Sequence, residues 1–179
     1  MKIAVVSAAA DVPAWEAAML AELADVQGVE SELVVDEVTA APDAEVAPAY
    51  RWYEQFDNRV FGMFDDPMAA VAVPASVMRM DALAEDQPCD LIVLLASRRD
   101  AAEVYLPFSR NGVLFYETVD NAGNPLRPAG YHEVMSGKRT SAVVVRHLVS
   151  PGNAGGVVYL SRSSTDAISP RRNREQIFW

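Results

Sequence analysis

The sequence predicts a three-layer α/β domain with a mostly parallel sheet. Two apolar runs rich in β-branched residues, 2–8 and 89–96, have the pattern of strands that are buried on both faces. A helix-like segment and a second strand-like segment follow the first run within 35 residues, which is typical of a right-handed crossover unit. We expect the run at 89–96 to form the central strand.

The first crossover unit continues from strand 2–8 into a helix. Pro13 suits the first turn of a helix, because its missing N–H would have no partner there. Trp15, Met19 and Leu23 then recur at helical spacing, and Gly28 can end the helix. Residues 29–35 alternate between apolar and polar side chains, so they predict the second strand.

The middle of the chain is expected to combine a loop, a helix and short connectors. Residues 36–48 are rich in Ala, Pro and acidic residues, which favours an exposed loop. Residues 49–64 predict a helix with an aromatic stripe, which we interpret as part of the core because aromatic rings bury the largest apolar area. The stripe comprises Tyr50, Tyr53, Phe56, Val60, Phe61 and Phe64. We interpret 67–74 as a connector and 76–80 as a short strand.

The last third of the chain predicts three strands and a short helix. Residues 112–116 form a strand, 129–135 one or two helical turns, and 141–148 and 156–160 two further strands. The Pro, Gly and Asn residues between the last two strands favour a chain reversal and an antiparallel hairpin. We expect the apolar C-terminal residues to dock on the domain or on a second subunit, with the nearby arginines meeting the acidic first half of the chain.

Length and composition limit the classes of protein that are possible. The 179 residues are 51% hydrophobic, which suits one core and a single domain over 1–179. No apolar run approaches the roughly 20 residues of a spanning helix, and the start does not resemble a signal peptide. One cysteine, Cys89, and two histidines exclude an internal disulfide and a Cys/His zinc site. We therefore expect a cytoplasmic protein without a metal and without membrane contact.

The charge is distributed unevenly along the chain. Residues 1–97 carry 4 Lys/Arg and 18 Asp/Glu, giving −14, whereas 98–179 carry 11 and 7, giving +4. The basic half has acidic residues interleaved and no basic stripe, so we do not expect nucleic-acid binding.

A polar cluster after strand 112–116 is the best candidate for a functional site. The sequence has no glycine-rich phosphate loop, G-x-S-x-G, H-E-x-x-H or C-x-x-C motif. The cluster follows the carboxyl end of a strand, which is where open α/β sheets bind ligands. Its members are Glu117, Asp120, Asn121, Asn124, Arg127, His132 and Glu133.

Each member of this cluster has two interpretations. Asp120, Asn121 and Asn124 either contact a ligand or satisfy the hydrogen bonds of their own loop. Glu117 and Asp120 either share a proton as an acid–base pair or are separately solvated. His132 is either a base or a structural histidine.

Six stretches, spread with gaps over nearly the whole chain, carry a resemblance to a known family. They are PAWEAAMLAEL, YRWYEQFDNRVFGMFDDP, NGVLFYETVDN, RPAGYHEVMSGKRTSAVVVRHL, GGVVYLSRS and RRNREQIFW. Together they resemble the formyltransferase-like domain that stands alone or heads longer bacterial chains. That domain is similar to the catalytic domain of methionyl-tRNA formyltransferase and of sugar N-formyltransferases. The resemblance implies a three-layer, Rossmann-like formyltransferase fold with a C-terminal antiparallel hairpin, and formyl-tetrahydrofolate as the family's cofactor.

The resemblance also implies where the reaction would take place. In the family, an Asn-x-His on a strand stabilises the oxyanion as an amine attacks the formyl carbon, and an Asp from a later loop orients the His. In this chain Leu114 stands where the Asn would be and Tyr116 where the His would be. The late Asp falls at Ala154, with Asn153 as the nearest polar residue.

The remaining positions of the motif are partly kept. Glu117 stands where close relatives have a second His, and Asp120 and Asn121 match the end of their motif. Leu114 cannot donate a hydrogen bond and Ala154 cannot orient a histidine, so we expect the family reaction to be lost and no cofactor to be used.

Three hypotheses for function follow. In the first, the chain is a non-catalytic binding or scaffold module for an unknown small molecule or a partner protein, with a homodimer as one form. In the second, Tyr116, Glu117 and Asp120 form a rebuilt site for one-carbon or acyl transfer to an amine. In the third, formyl transfer is kept in a shifted register, with Glu117 or His132 in the pocket. A deep cleft beside Tyr116 that contains Glu117 would favour chemistry, and a filled one would favour a scaffold.

Overall fold

The computed structural model describes ten stretches of the chain. They are 1–36, 48–61, 69–73, 77–79, 83, 87–95, 99–120, 123–126, 130–153 and 155–178. The strands in these stretches are β1 (Lys2–Ser7), β2 (Asp11–Pro13), β3 (Glu30–Val35), β4 (Ala70–Ala72), β5 (Val77–Arg79), β6 (Leu91–Leu94), β7 (Val113–Val119), β8 (Thr140–Leu148) and β9 (Gly156–Ser164). The helices are α1 (Ala14–Ala24), α2 (Pro48–Phe61), α3 (Arg99–Val104), α4 (Tyr131–Met135) and α5 (Pro170–Phe178).

A seven-stranded sheet forms the centre of the molecule, in the order β5-β3-β1-β6-β7-β8-β9. The first five strands in this order are parallel to one another, whereas β8 pairs antiparallel with both β7 and β9. The predicted central strand is confirmed, since β6 has three strands on either side. The predicted C-terminal hairpin is confirmed as well.

The parallel strands are buried on both faces, as their apolar composition predicts. On one face, Ile3, Val5 and Leu33 pack with Leu20 of α1. On the opposite face, residues of β1, β6 and β7 pack with Tyr105, which follows α3. The predicted helix after β1 is confirmed as α1, but Pro13 is the last residue of β2 and precedes the helix instead of lying in its first turn.

The predicted aromatic core stripe is wrong for the middle of α2. Phe56 is 54% exposed and Val60 is 46% exposed, while Tyr53 and Phe61 are half-buried. Helix α2 packs against α5 through the face that carries Tyr53, Asp57 and Phe61. Asp57 is buried at this contact and accepts a hydrogen bond from the backbone N–H of Arg171 in α5. Helical periodicity identifies an apolar stripe but does not determine which side meets a neighbour. The side chain of Tyr50 and all of Phe64 lie outside the described residues.

The predicted connector at 67–74 contains a strand instead. Ala70–Ala72 pairs antiparallel with Asp11–Pro13, and Val12 lies opposite Val71 in this small second sheet. Because Val12 and Val71 are almost sixty residues apart in the sequence, no local pattern predicts this pairing. The predicted loop at 36–48 lies almost entirely outside the described residues.

Strand β7 extends three residues beyond its predicted end. The prediction stopped at 116 because polar residues follow, but β8 is long enough to pair with the extension, with Glu117 opposite Val144 and Val119 opposite Ala142. Glu117 therefore belongs to the strand, and its assignment to the loop after the strand is wrong.

The C-terminal helix α5 docks on α2, as predicted. The Arg174 guanidinium lies 3.0 Å from a carboxylate oxygen of Glu54, and the backbone N–H of Arg171 donates to Asp57 Oδ2 at 2.9 Å. The predicted contact with the acidic first half is therefore made by the Arg174 side chain and the Arg171 backbone. The Arg172 guanidinium instead lies 3.5 Å from Asp166, in the second half of the chain. Within the described residues no helix has both the length and the apolar character to cross a membrane.

Candidate functional site

A cavity of about 330 Å³ lies beside Tyr116, between α1 and the sheet. Helix α1 contributes Trp15, Met19 and Leu23, which are the residues that recur at helical spacing. Leu114 and Tyr116 of β7 form part of the sheet side of the cavity. The ring of Tyr116 packs edge-to-face on Trp15, with the ring centres 5.0 Å apart.

The remaining walls of the cavity are aliphatic. Val143 and Val145 of β8 continue the floor beside Tyr116, and Ile177 reaches the cavity from α5. Among the described residues that line the cavity, none carries a charged side chain. The described part of the lining can therefore hold an apolar molecule and contributes no charged acid, base or anion receptor.

Glu117 lies on the opposite face of β7 from this cavity. Successive side chains of a strand point to opposite faces, so Glu117 faces away from the side that carries Leu114 and Tyr116. Its carboxylate is buried and accepts a hydrogen bond from Arg146 Nε at 2.8 Å, which makes an ion pair with β8. This carboxylate supports the sheet and does not enter the cavity.

Asp120 organises the turn that follows β7. Its Oδ1 accepts the backbone N–H of Asn124 at 2.8 Å and its Oδ2 accepts the Asn124 side-chain amide at 3.0 Å. The backbone N–H of Asp120 also donates a hydrogen bond to the Asn124 carbonyl at 2.9 Å, which closes the same turn. Asp120 and Asn124 therefore bond to each other within the described part of this turn.

The other sequence-predicted site residues lie elsewhere. His132 is exposed on α4, with its ring beside that of Tyr131. Asn153 is exposed in the β8–β9 turn, and the pairing of Leu148 with Val113 places that turn at the amino end of β7. It is separated from Asp120 by the length of the seven-residue strand, about 20 Å. Asn121 and Ala154 lie outside the described residues.

Of the sequence-predicted site residues, Tyr116 is thus the one that the structure places on the cavity. Glu117 lies on the other face of β7, and Asp120 lies in the turn that follows this strand. His132 lies on α4, and Asn153 lies in the β8–β9 turn, near the amino end of β7. The predicted polar cluster is not assembled into one site by the described residues.

The sequence interpretation overlooked Glu16, a buried carboxyl next to the cavity residue Trp15. Glu16 is 5% exposed, and burial raises its pKa to about 8, although a hydrogen bond with Ser7 favours the charged form. An acidic residue in the first turn of a helix is common and usually solvated, so nothing in the sequence signals burial. At neutral pH this group holds a proton.

Two further buried acidic residues, Asp36 and Glu133, do not line the cavity. The Tyr105 hydroxyl donates to Asp36 Oδ2 on the face opposite the cavity, and burial raises the pKa of Tyr105. Glu133 of α4 is 1% exposed, and burial raises its pKa too. The described residues contain no group of three or more His, Cys, Asp or Glu side chains placed to hold a metal ion, and Cys89 is a buried free thiol.

Comparison with known proteins identifies the fold. Over 99% of its length, the chain superposes on a phosphoribosylglycinamide formyltransferase from Anaplasma phagocytophilum with a TM-score of 0.59 and 10% identity, covering 78% of that chain. The chain has the formyltransferase fold. A glycinamide ribonucleotide transformylase from Symbiobacterium toebii gives a TM-score of 0.55 and 14% identity, with 99% of this chain and 80% of that chain covered.

A third similar structure carries a different activity in its name. A formyltetrahydrofolate deformylase from Burkholderia mallei gives a TM-score of 0.50 and 10% identity, with 99% of this chain and 59% of that chain covered. No protein-family model and no curated protein sequence matches the chain. At sequence identities of 10–14%, these structural matches show the fold alone, because function depends on the residues that a fold carries.

Proposed function

We propose that this formyltransferase-fold protein has lost formyl transfer from formyl-tetrahydrofolate and acts as a binding module in the cytoplasm. One observation carries the proposal: the cavity beside Tyr116 is lined by apolar side chains, with Leu114 and Tyr116 where the resemblance implies the reacting Asn and His. In this sense the protein is a pseudoenzyme of its fold.

The chemistry of formyl transfer supports this conclusion. The negative charge that develops on the formyl oxygen needs preorganised donors, and losing one such donor typically costs about 2.7–4 kcal/mol of barrier. Leu114 has no donor, and the phenol of Tyr116 cannot supply the positive charge of a protonated histidine. The turn that would bring the orienting Asp lies near Leu114, at the amino end of β7, but its polar residue Asn153 has an amide in place of a carboxylate.

A rebuilt transferase site is less well supported. It requires Tyr116, Glu117 and Asp120 to act on one substrate, but Glu117 faces the other side of the sheet and pairs with Arg146. Asp120 is engaged by Asn124 in its own turn. The shifted-register alternative has the same difficulty, since His132 is exposed on α4 and does not line the cavity.

For the partner we propose a second copy of the chain, paired through β9. This nine-residue strand lies at the edge of the sheet, and its residues Val157, Val158, Tyr159 and Leu160 are 42–60% exposed. Antiparallel pairing about a two-fold axis would extend the sheet, satisfy the open backbone edge of β9 and place these apolar side chains beside those of the partner strand. With the axis between Tyr159 and Leu160, Arg162 would lie opposite Val157 of the partner subunit, so the guanidinium groups of the two copies would not meet.

Calorimetric titration with a stable analogue of formyl-tetrahydrofolate tests the proposed loss of the folate site. The wild-type chain should show no saturable heat at concentrations where the formyltransferase from Anaplasma phagocytophilum, used as a positive control, binds. Micromolar binding that is abolished by Tyr116→Ala and kept by His132→Ala would place folate in the cavity and overturn the proposal. Binding that both variants keep would overturn it equally, because a folate site would exist elsewhere.

A further inference from the structure

The size of the cavity defines how large a ligand it can hold. An apolar cavity of about 150 Å³ stays dry and binds benzene, which has six non-hydrogen atoms. The cavity beside Tyr116 is about 330 Å³, so it has room for about twice as many atoms. This volume lies at the lower end of the range of small-molecule pockets, about 300–1,000 Å³.

The lining of the cavity defines the charge of that ligand. No charged side chain among the described residues faces the cavity, so a carboxylate, phosphate or ammonium group placed there would lose its hydration without compensation. The aliphatic walls formed by Val143, Val145 and Ile177 suit a hydrocarbon surface. A neutral ligand is therefore favoured over an anionic or cationic one.

The aromatic wall favours a flat ligand. Trp15 and Tyr116 pack edge-to-face at an interplanar angle of 87°, so one ring presents its face where the other presents its edge. A third aromatic ring can continue this edge-to-face arrangement, which aromatic pairs prefer over direct face-to-face stacking.

We infer that the cavity between α1 and strands β6, β7 and β8 binds a neutral, flat, apolar molecule of about twelve non-hydrogen atoms, such as a bicyclic aromatic compound. The ligand class rests on the proposed function of a binding module. Such a ligand differs from a folate, which is larger and carries charged groups. Tyr116 then contributes a wall of the site and not an acid or base.

Naphthalene and naphthalene-2-sulfonate are matched probes for this inference, because they share a ring system and differ in charge. We expect naphthalene to bind saturably and to raise the melting temperature of the full chain, and the sulfonate to bind at least tenfold more weakly. Nuclear Overhauser contacts should connect naphthalene protons with the methyl groups of Val143, Val145 and Ile177. These contacts are measured on the wild-type protein, so they do not depend on any variant folding.

A substitution that fills the cavity provides a second test of naphthalene binding. Val145→Trp should weaken naphthalene binding at least tenfold, whereas Val149→Trp, at an exposed position outside the cavity, should leave it unchanged. The inference is overturned if naphthalene does not bind, if its contacts map elsewhere, or if the sulfonate binds equally well. If naphthalene fails while formyl transfer is also absent, the ligand class is wrong and the proposed loss of catalysis stands. Formyl transfer by the wild-type chain would instead overturn the proposed function itself.

Discussion

Glu16 and Glu117 are both buried carboxyl groups, and they differ in the partners that surround them. Glu117 receives the guanidinium N–H of Arg146 and therefore has a positive partner. The side chain of Glu16 has one buried carboxyl oxygen for which the described residues provide no hydrogen-bond donor, and its pKa is raised to about 8 by burial. Burial of Glu16 is therefore least costly while its carboxyl group is protonated.

The raised pKa of Glu16 predicts a loss of stability as the pH rises. The unfolded chain releases this proton near pH 4.5 and the folded chain near pH 8, so the contribution present below pH 4.5 is lost progressively up to about pH 8. The two pKa values correspond to a change in the free energy of unfolding on the order of 5 kcal/mol. The melting temperature of Glu16→Gln should equal that of the wild type at pH 4. At pH 9 it should be at least several degrees higher than that of the wild type.

A variant on the same helix controls for the loss of one charge. Glu22→Gln changes an exposed residue of α1 and should leave the difference between the two pH values unaltered. Melting curves of Glu16→Gln that run parallel to the wild type at every pH would contradict the assignment of a buried, protonated carboxyl.

The ion pair between Glu117 and Arg146 predicts a stability effect at the residue scale. Arg146→Met leaves the buried Glu117 carboxylate without its partner and should lower the free energy of unfolding by about 2–3 kcal/mol. Arg110→Met removes a more exposed pair with Asp90 and should cost less than about 1 kcal/mol. Chemical denaturation measures both, and equal effects would show that the Glu117 pair is not buried in solution.

At the scale of elements, a buried amide connects α5 to the domain in addition to its contacts with α2. Asn173 is fully buried, its Nδ2 donates to the Gly130 carbonyl at 3.0 Å, and its Oδ1 accepts from Ser141 Oγ at 3.0 Å. One side chain thus connects α5 with the start of α4 and with β8. The helix also supplies Ile177 to the cavity wall, so its docking affects the candidate site.

Asn173→Ala should destabilise the protein by about 1–3 kcal/mol, because the buried Gly130 carbonyl loses its side-chain donor and the Ser141 hydroxyl keeps only its bond with Thr165 among the described residues. Gln176→Ala on the exposed side of the same helix should change stability by less than about 0.5 kcal/mol. Hydrogen exchange should show faster exchange of α5 amides in the first variant only. Unchanged protection in Asn173→Ala would mean that the amide does not hold the helix.

The sequence was informative for elements that are buried on both sides and uninformative for contacts made over long distances. Strands β1 and β6 are predicted because parallel strands that are covered on both faces need continuous apolar residues. The extension of β7 could not be predicted, because Glu117 fits in the strand only through Arg146, 29 residues later.

The same limitation applies to α2 and to the site. The stripe of α2 is visible in the sequence, but its covered face is decided by α5, more than a hundred residues away. Tyr116 was identified through its place in a family motif, whereas the cavity beside it depends on Trp15, Val145 and Ile177, which no local pattern connects.

At the scale of the whole molecule, the free edge of β9 predicts self-association. Val158→Lys should convert a dimer into a monomer in sedimentation experiments, because a charge on an edge strand opposes pairing with a second strand. Val149→Lys adds the same charge outside β9 and should leave the dimer intact. A wild-type chain that stays monomeric at about 100 μM would exclude pairing through β9 at physiological affinity.

The fold of the whole molecule is that of formyltransferases, so the most direct test of the account is the family reaction itself. Purified protein is incubated with formyl-tetrahydrofolate, with and without a panel of primary amines, and release of tetrahydrofolate is followed. This readout registers both transfer to any amine and hydrolysis. The account predicts no release above the rate without enzyme, while the formyltransferase from Anaplasma phagocytophilum is active in parallel with its own acceptor. Release that depends on the protein and disappears in Tyr116→Phe or Glu117→Gln would contradict the loss of catalysis.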